Sequence, residues 1–240
     1  MKSNFYWVYG RHTVEAVLKN YDREISRIVL GAPDGKIEQL AGRRKISVEL
    51  VGVDFFNSVF GKNVVHQKYA AYIAKLPQVH LEDIIGGGDE DLRPIIILDQ
   101  VTDPQNIGSV LRCSAVFNAR AVIVQDKHSP ELNATSLKAS SGASELIPLI
   151  RVTNIANTIQ SLQKHGFWIV GLDEDGDRLL SDLPKSTKYA VVVGSEGKGM
   201  RKLTKDFCDF VVKIPSSDKF STLNAAQAAT VSLYELFRRG

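Results

Sequence analysis

Pro94-Ile95-Ile96-Ile97-Leu98-Asp99 decides the fold: four consecutive apolar residues, introduced by a proline and stopped by an aspartate. An apolar run without alternation suits a strand buried on both faces, the situation in a parallel sheet covered by helices. The pattern returns at Ala121-Val122-Ile123-Val124, Phe167-Trp168-Ile169-Val170, Ala190-Val191-Val192-Val193 and Phe210-Val211-Val212. Helical spacings fill the intervals at 107–117 and 155–162, and another closes the chain at 223–237. Strands alternating with helices imply βαβ crossovers and an open parallel sheet with helices on both faces. Ligands of such α/β sheets sit beyond the carboxyl ends of the strands. Chemistry is therefore to be sought just after each apolar run.

Ahead of this region, 1–76 reads as a small α/β unit with strands at 5–9, 25–30, 48–51 and 69–74 and helical spacings at 12–18 and around 37–40. Roughly 75 residues suffice for a modest core. The intervening 77–94 reads as a linker. Leu76-Pro77 opens it, 81–85 offers one helical turn, and Gly86-Gly87-Gly88-Asp89-Glu90-Asp91 cannot hold a regular element. The expected organisation is thus 1–76, 77–94 and 95–240.

Composition excludes several classes. No apolar run approaches the ~20 residues of a membrane-spanning helix. The opening Met1-Lys2-Ser3-Asn4-Phe5-Tyr6-Trp7 has no long apolar core, so no secretory signal is read. Cys113 and Cys208 have no CxxC spacing, which disfavours a disulfide scaffold or zinc finger and points to a reducing, cytoplasmic compartment. His12, His66, His80, His128 and His165 show no metal-ligand spacing, so no metal is expected. The net charge of +3 is unevenly spread: 1–76 holds 12 Lys/Arg against 7 Asp/Glu, and 77–240 holds 18 against 20. A basic front suggests a polyanionic partner.

Three post-strand segments carry candidate chemistry. After the first run, Asp103-Pro104-Gln105-Asn106-Ile107-Gly108-Ser109-Val110-Leu111-Arg112 starts a helix near Pro104, with Asn106 and the planar donor fork of Arg112 at its first turns. After the fourth, Gly194-Ser195-Glu196-Gly197-Lys198-Gly199 makes a sharply turning loop around one carboxylate. It lacks the GxxxxGK[ST] and GxGxxG spacings, which excludes a triphosphate loop and a standard dinucleotide fingerprint. After the fifth come Ile214-Pro215 and then Thr222-Leu223-Asn224, where Thr222 is a candidate cap for the last helix. A polar stretch, Leu132-Asn133-Ala134-Thr135 and Lys138 to Ala143, suits either a phosphate backbone or a flexible loop.

Taken together and in this order, the three segments resemble the three motifs of the SpoU branch of the SPOUT RNA methyltransferases. The front segment, with Tyr9-Gly10-Arg11-His12 and Val65-His66-Gln67, is similar to the L30e-like RNA-binding domain that precedes the catalytic domain in RlmB-type enzymes. The resemblance implies a deep trefoil knot in 95–240, a homodimer with its site near the subunit interface, and S-adenosylmethionine as cofactor. It implies 2′-O-methylation of a guanosine ribose in 23S ribosomal RNA. Carried over by motif, Arg112 is the expected catalytic arginine, Asn106 positions the reacting groups, Glu196 orders the site, and Asn224 lies by the 2′-hydroxyl or cofactor. Gly194, Ile214, Leu223 and Thr222 are the expected cofactor contacts; Arg11, His12, Asn133, Thr135 and Lys138 are the expected RNA contacts. The third motif departs from the family's usual Ser-Leu-Asn at Thr222 and in the Ala225-Ala226-Gln227-Ala228 that follows. A tRNA 2′-O-methyltransferase and a non-catalytic RNA-binding assembly factor remain as alternatives.

Overall fold

The computed structural model describes residues 5–239 apart from 87, 89, 218, 220 and 221. Met1–Asn4, Gly87, Asp89, Asp218, Phe220, Ser221 and Gly240 thus lie outside it. The N-terminal α/β domain runs β1 (Phe5–Tyr9), α1 (Arg11–Lys19), β2 (Ile25–Leu30), α2 (Gly35–Arg43), β3 (Val48–Leu50), α3 (Val53–Phe60) and β4 (Tyr69–Ala74). Its mixed sheet has the order β1-β4-β2-β3. One face is packed by α1 and α2 through Val14, Val17, Leu18 and Ile37. The other is closed by Phe56 of α3 against Tyr9, Val29 and Ala70. The sequence spacing did not reveal α3. Val-Asp-Phe-Phe-Asn-Ser-Val-Phe is poor in strong helix formers, and packing of Phe56 overrides that weak preference.

The chain continues through α4 (Leu81–Ile85), β5 (Ile95–Asp99), α5 (Pro104–Val116), β6 (Ala121–Gln125), α6 (Ala134–Ser140), β7 (Leu149–Val152), α7 (Ile155–Lys164), β8 (Trp168–Leu172), β9 (Arg178–Leu179), β10 (Tyr189–Gly194), α8 (Lys202–Asp206), β11 (Phe210–Lys213) and α9 (Ala225–Arg239). The seven strands form one sheet ordered β7-β6-β5-β10-β8-β11-β9, and neighbouring strands in it pair in parallel. Ile96, Leu98, Val122, Val191 and Val193 face α5 and α9. Their neighbours Ile95, Ile97, Ile123, Ala190 and Val192 face α7 and the α4 segment. All five residues of β5 are buried, as a strand covered on both faces requires. The 77–94 stretch is partly docked, because Ile85 packs into the second of these cores.

The order of the central strands positions the site. β10 lies directly beside β5, and Gly194 is in register with Asp99. The loops after β5 and β10 therefore leave the sheet side by side, with the loop after β11 two strands away. β7, β9 and α8 also went unread in the sequence; each is five residues or fewer.

Candidate active site

The first segment is a helix start built by local chemistry. Asp103 is the N-cap of α5 and accepts the N–H of Gln105 at 2.9 Å, while Pro104 occupies the first turn, where a missing N–H costs nothing. This places Asn106 within the first turn of α5, at the carboxyl end of β5. Asn106 Nδ2 donates to Glu196 Oε1 at 2.7 Å, across 90 residues of sequence.

Glu196 stands at the tip of the glycine loop. Ser195 and Gly199 exchange two backbone hydrogen bonds, at 3.1 and 2.9 Å, and so close a tight return. Gly197 and Gly199 have φ values of 77° and 63°, a conformation that L side chains rarely adopt. Gly194 is needed for a different reason. A Cβ there would lie 2.2 Å from the Gly199 carbonyl carbon and 2.3 Å from the Met200 nitrogen, both backbone atoms. The loop is fastened at its base by Asp99, which is wholly buried. Asp99 Oδ2 accepts the backbone N–H of Arg201 at 2.9 Å, and Oδ1 accepts its Nε at 2.8 Å. Asp99 thus holds both ends of the loop, by strand register at Gly194 and by its carboxylate at Arg201. The sequence signalled neither half of this ion pair, whose partners are 102 residues apart.

The third segment corrects an expectation. The cap of α9 is Asn224, not Thr222. Asn224 Oδ1 accepts the N–H of Gln227 at 2.7 Å, and Gln227 Oε1 accepts the N–H of Asn224 at 3.0 Å. This reciprocal box satisfies two donors that Thr222, three residues ahead of the first helical residue, is badly placed to reach. It also gives Gln227, one of the departures from the family pattern, a physical role.

These three segments meet in one open groove. Asn106, Glu196, Leu223 and Asn224 line it together with Asp103 and Gln227. Among the described residues lining the groove there is no Lys or Arg. Gly194 and Ile214 stand at the ends of β10 and β11, and Thr222 just ahead of α9, all three outside the lining. Arg112 is not in the groove. Six residues beyond Asn106 on an α-helix is about 9 Å along the axis and some 240° around it. Arg112 is exposed there, and its Nη1 donates to Ser141 Oγ at 3.4 Å.

The expected RNA-contact residues divide in the same way. Asn133 caps α6, accepting the N–H groups of Thr135 and Ser136 at 2.9 and 3.1 Å. The stretch that suited a flexible loop is therefore a helix, held so closely against α5 that a Cβ at Gly108 would lie 2.2 Å from the Ser136 carbonyl oxygen. Thr135 and Lys138 are on its exposed side, and His12 is exposed on α1. Arg11 is tied to Asp34, donating from Nε at 2.9 Å. Gln67 Oε1 accepts the N–H of Arg11 at 3.0 Å, so the two front stretches singled out in the sequence touch each other.

Among the described residues there is no helix long and apolar enough to cross a membrane, and no His/Cys/Asp/Glu group that could hold a metal ion.

Comparison with known proteins places the chain in a family. A family described as RNA 2′-O ribose methyltransferase substrate binding matches residues 7–79. The chain is 35% identical over 238 residues to a Staphylococcus haemolyticus protein named for the TrmH family of tRNA/rRNA methyltransferases, covering 97% of this chain and 95% of that one. It is 35% identical over 243 residues to the 23S rRNA (guanosine-2′-O-)-methyltransferase RlmB of Pseudomonas aeruginosa, covering 97% and 96%. In fold it is similar to the SpoU methyltransferase AviRb of Streptomyces viridochromogenes, solved in complex with AdoMet, with a TM-score of 0.82, 22% identity, and 99% and 91% of the two chains covered. The SpoU rRNA methylase family matches residues 93–234, more than half of the chain, and the chain belongs to that family.

Proposed function

We propose that this protein transfers a methyl group from S-adenosylmethionine to a ribose 2′-hydroxyl, on a guanosine of large-subunit ribosomal RNA. The observation that carries the reading is the Asn106–Glu196 hydrogen bond of 2.7 Å, which joins the first two motifs at a groove shared with Leu223 and Asn224 of the third. The groove fits the cofactor in kind. Two carboxylates, Asp103 and Glu196, with no basic residue among its described lining, suit a sulfonium cation, and the exposed Leu223 offers an apolar surface at its edge. Leu223 would meet the cofactor in the groove, with Gly194, Ile214 and Thr222 of the same loops as further contacts beyond its lining; the cofactor supplies an electrophilic methyl group.

The chain's own residues must orient the ribose and manage the proton of the 2′-hydroxyl. Asn106 and Asn224 present amides suited to aligning polar groups of the two ligands. A guanidinium is a planar fork of donors with no acceptor, so the role of Arg112 is to stabilise the alkoxide as it forms rather than to accept the proton. Because Arg112 lies on a different face of α5 from the groove, the proposal includes a homodimer in which the reacting groups meet at the interface. An exposed apolar face supports this. Val231 lines the groove, Tyr234 and Phe237 continue along α9, and Phe117, just past the end of α5, packs against both aromatics at 5.9 Å. The N-terminal domain, bounded by the 77–94 linker, would bind RNA through Arg11 and His12, and α6 would add Thr135 and Lys138 beside its cap Asn133. The trefoil knot and a cytoplasmic location belong to the same proposal.

The test is transfer of labelled methyl groups to ribosomal RNA and to tRNA separately, followed by mapping of the modified nucleotide. Label in a ribose 2′-position of the large-subunit RNA is the expected result. Label in tRNA alone would overturn the substrate assignment.

A further inference from the structure

The N-terminal domain and the catalytic domain are joined by more than the linker. Arg23, between α1 and β2, inserts its guanidinium against Glu145, at the end of the 3₁₀ turn that follows α6. Nε donates to Glu145 Oε2 at 2.9 Å and Nη2 to Oε1 at 2.6 Å, in a bidentate pair whose two side chains are each 2% exposed. Two further hydrogen bonds reach the pair. Arg23 Nη1 donates to the Ala74 carbonyl at 2.6 Å, and Asn20 Nδ2 donates to Glu145 Oε2 at 2.9 Å. Arg44 holds the segment from outside, donating to the carbonyls of Arg23 and Asn20 at 2.6 and 2.7 Å.

Beside the pair, Leu137 of α6 is buried in the core of the N-terminal domain with Val14, Ile28 and Ile73. Gly142 has φ 91°, and a Cβ there would lie 2.3 Å from Ala16 Cβ on α1. The residue before it, Ser141, is the one that Arg112 touches. A single turn, 141–145, therefore contacts the N-terminal domain at one end and Arg112 at the other.

A wholly buried ion pair is a poor choice for stability alone, because desolvation of both charges offsets most of their attraction. What a bidentate pair adds over apolar contact is a fixed geometry. We propose that Arg23 and Glu145 are positioning residues: they latch the N-terminal domain in one pose on the catalytic domain, and thereby set the reach from RNA bound at the front to Arg112 through the 141–145 turn. This inference rests on the proposed use of the N-terminal domain for RNA.

The test uses the full chain, with Lys62→Cys and Lys202→Cys carrying spin labels on the two domains. Labelled protein is diluted into an excess of unlabelled protein, so that only distances within one chain are read. The expected result is one narrow distance in the parent chain and a broad distribution in Glu145→Gln and Arg23→Met. In those same variants kcat/KM on a long RNA should fall on the order of tenfold to a hundredfold, as misplaced reactants do. Affinity for S-adenosylmethionine should stay unchanged. Arg23→Lys, which keeps the charge and loses the fork, should recover part of both readouts. The double variant Arg23→Met/Glu145→Leu removes the stranded charge and should regain thermal stability. Its distance distribution should stay broad and its kcat/KM low, which a merely structural contact would not produce. Parent-like kcat/KM in the double variant, or a loss of kcat/KM with a narrow distance retained, would overturn the inference. A parent chain that methylates no RNA would instead refute the proposed function, and the distance distributions would still decide the latch.

Discussion

Gly194→Ala is the sharpest perturbation of the site, because the structure fixes its size. The new Cβ would lie 2.2 Å from the Gly199 carbonyl carbon, whereas ordinary contact begins at 3.4 Å. The shortfall of about 1.2 Å cannot be absorbed by a side chain, since the nearest atoms are all backbone of Gly199 and Met200. The strand end is equally constrained, being paired with Asp99 on one side. The loop must therefore move, and Glu196 moves with it. A displacement of that size stretches the 2.7 Å bond to Asn106 beyond hydrogen-bonding range. Overpacking at such a site costs about 1–3 kcal/mol of stability. In a chain of this length that lowers Tm by roughly 2–4 °C for each kcal/mol. Misplacement by about 1 Å costs on the order of 10²-fold in rate. The assay is single-turnover methyl transfer to ribosomal RNA beside a thermal melt, with Gly35→Ala as control, because nothing lies within 4 Å of a Cβ there. A folded Gly194→Ala protein with parent-like single-turnover rates would refute the assignment of Glu196 and its loop to the site.

Four further outcomes follow from other residues. Arg112→Ala should lower kcat and kcat/KM together by ~10²–10³ with cofactor affinity intact, read by single-turnover methylation beside cofactor titration; a loss explained wholly by weaker cofactor binding would move Arg112 into the cofactor site. Hydrogen bonds from Lys19 and Lys36 hold the Glu15 carboxyl at about 2, below its ordinary 4.5. A depressed carboxylate stabilises the fold fully above pH 4.5 and loses that contribution as pH falls toward 2, so the Tm gap between the parent and Glu15→Gln should narrow across that window. Burial pushes the Cys208 thiol up to about 12, aided by Asp209, and also raises Cys113; both should resist alkylation at pH 8 in the native chain and react in guanidinium. If the proposed homodimer forms through α9, Tyr234→Asp on its exposed face should shift sedimentation at micromolar concentration from dimer to monomer, and a parent chain that sediments as a monomer would refute that proposal.

The sequence was most legible where one physical demand acts on consecutive residues. Burial on both faces wrote β5 and β10 as unbroken apolar runs, and capping wrote the start of α5 at Asp103-Pro104. It was least legible where the deciding contact is remote. The small polar residues of α6 read equally as a loop, since what makes them a helix is Gly108 on α5 and the N-terminal core around Leu137. The three motifs announced Asn106, Glu196, Leu223 and Asn224, and the chain does bring these four together. Asp99 read only as the stop of a strand; its role depends on Arg201, which no local pattern links to it. Arg112 shows the converse. The resemblance gave it a role beside Asn106, yet helical phase sends the two side chains to different faces.

The bonds that define the site are not of equal strength, and the difference has a direction. At the base of the glycine loop, the Asp99 carboxylate is fully buried and bonded to both the backbone and the guanidinium of Arg201. Removing one partner there would strand a buried charge, at a cost of about 3–5 kcal/mol. At the tip, Asn106 and Glu196 meet in an exposed position, where a charge-assisted hydrogen bond contributes only about 1.5–3 kcal/mol net at best. The cap of α9 is exposed as well. A rigid base and an easily rearranged tip are what a groove requires if it admits a cofactor and a ribose in turn: the sheet keeps the loops in register while the polar groups at their ends exchange partners with the ligands. The strong interactions of this protein therefore fix where the three motifs stand, and the weak ones are left at the atoms where the chemistry is proposed to occur.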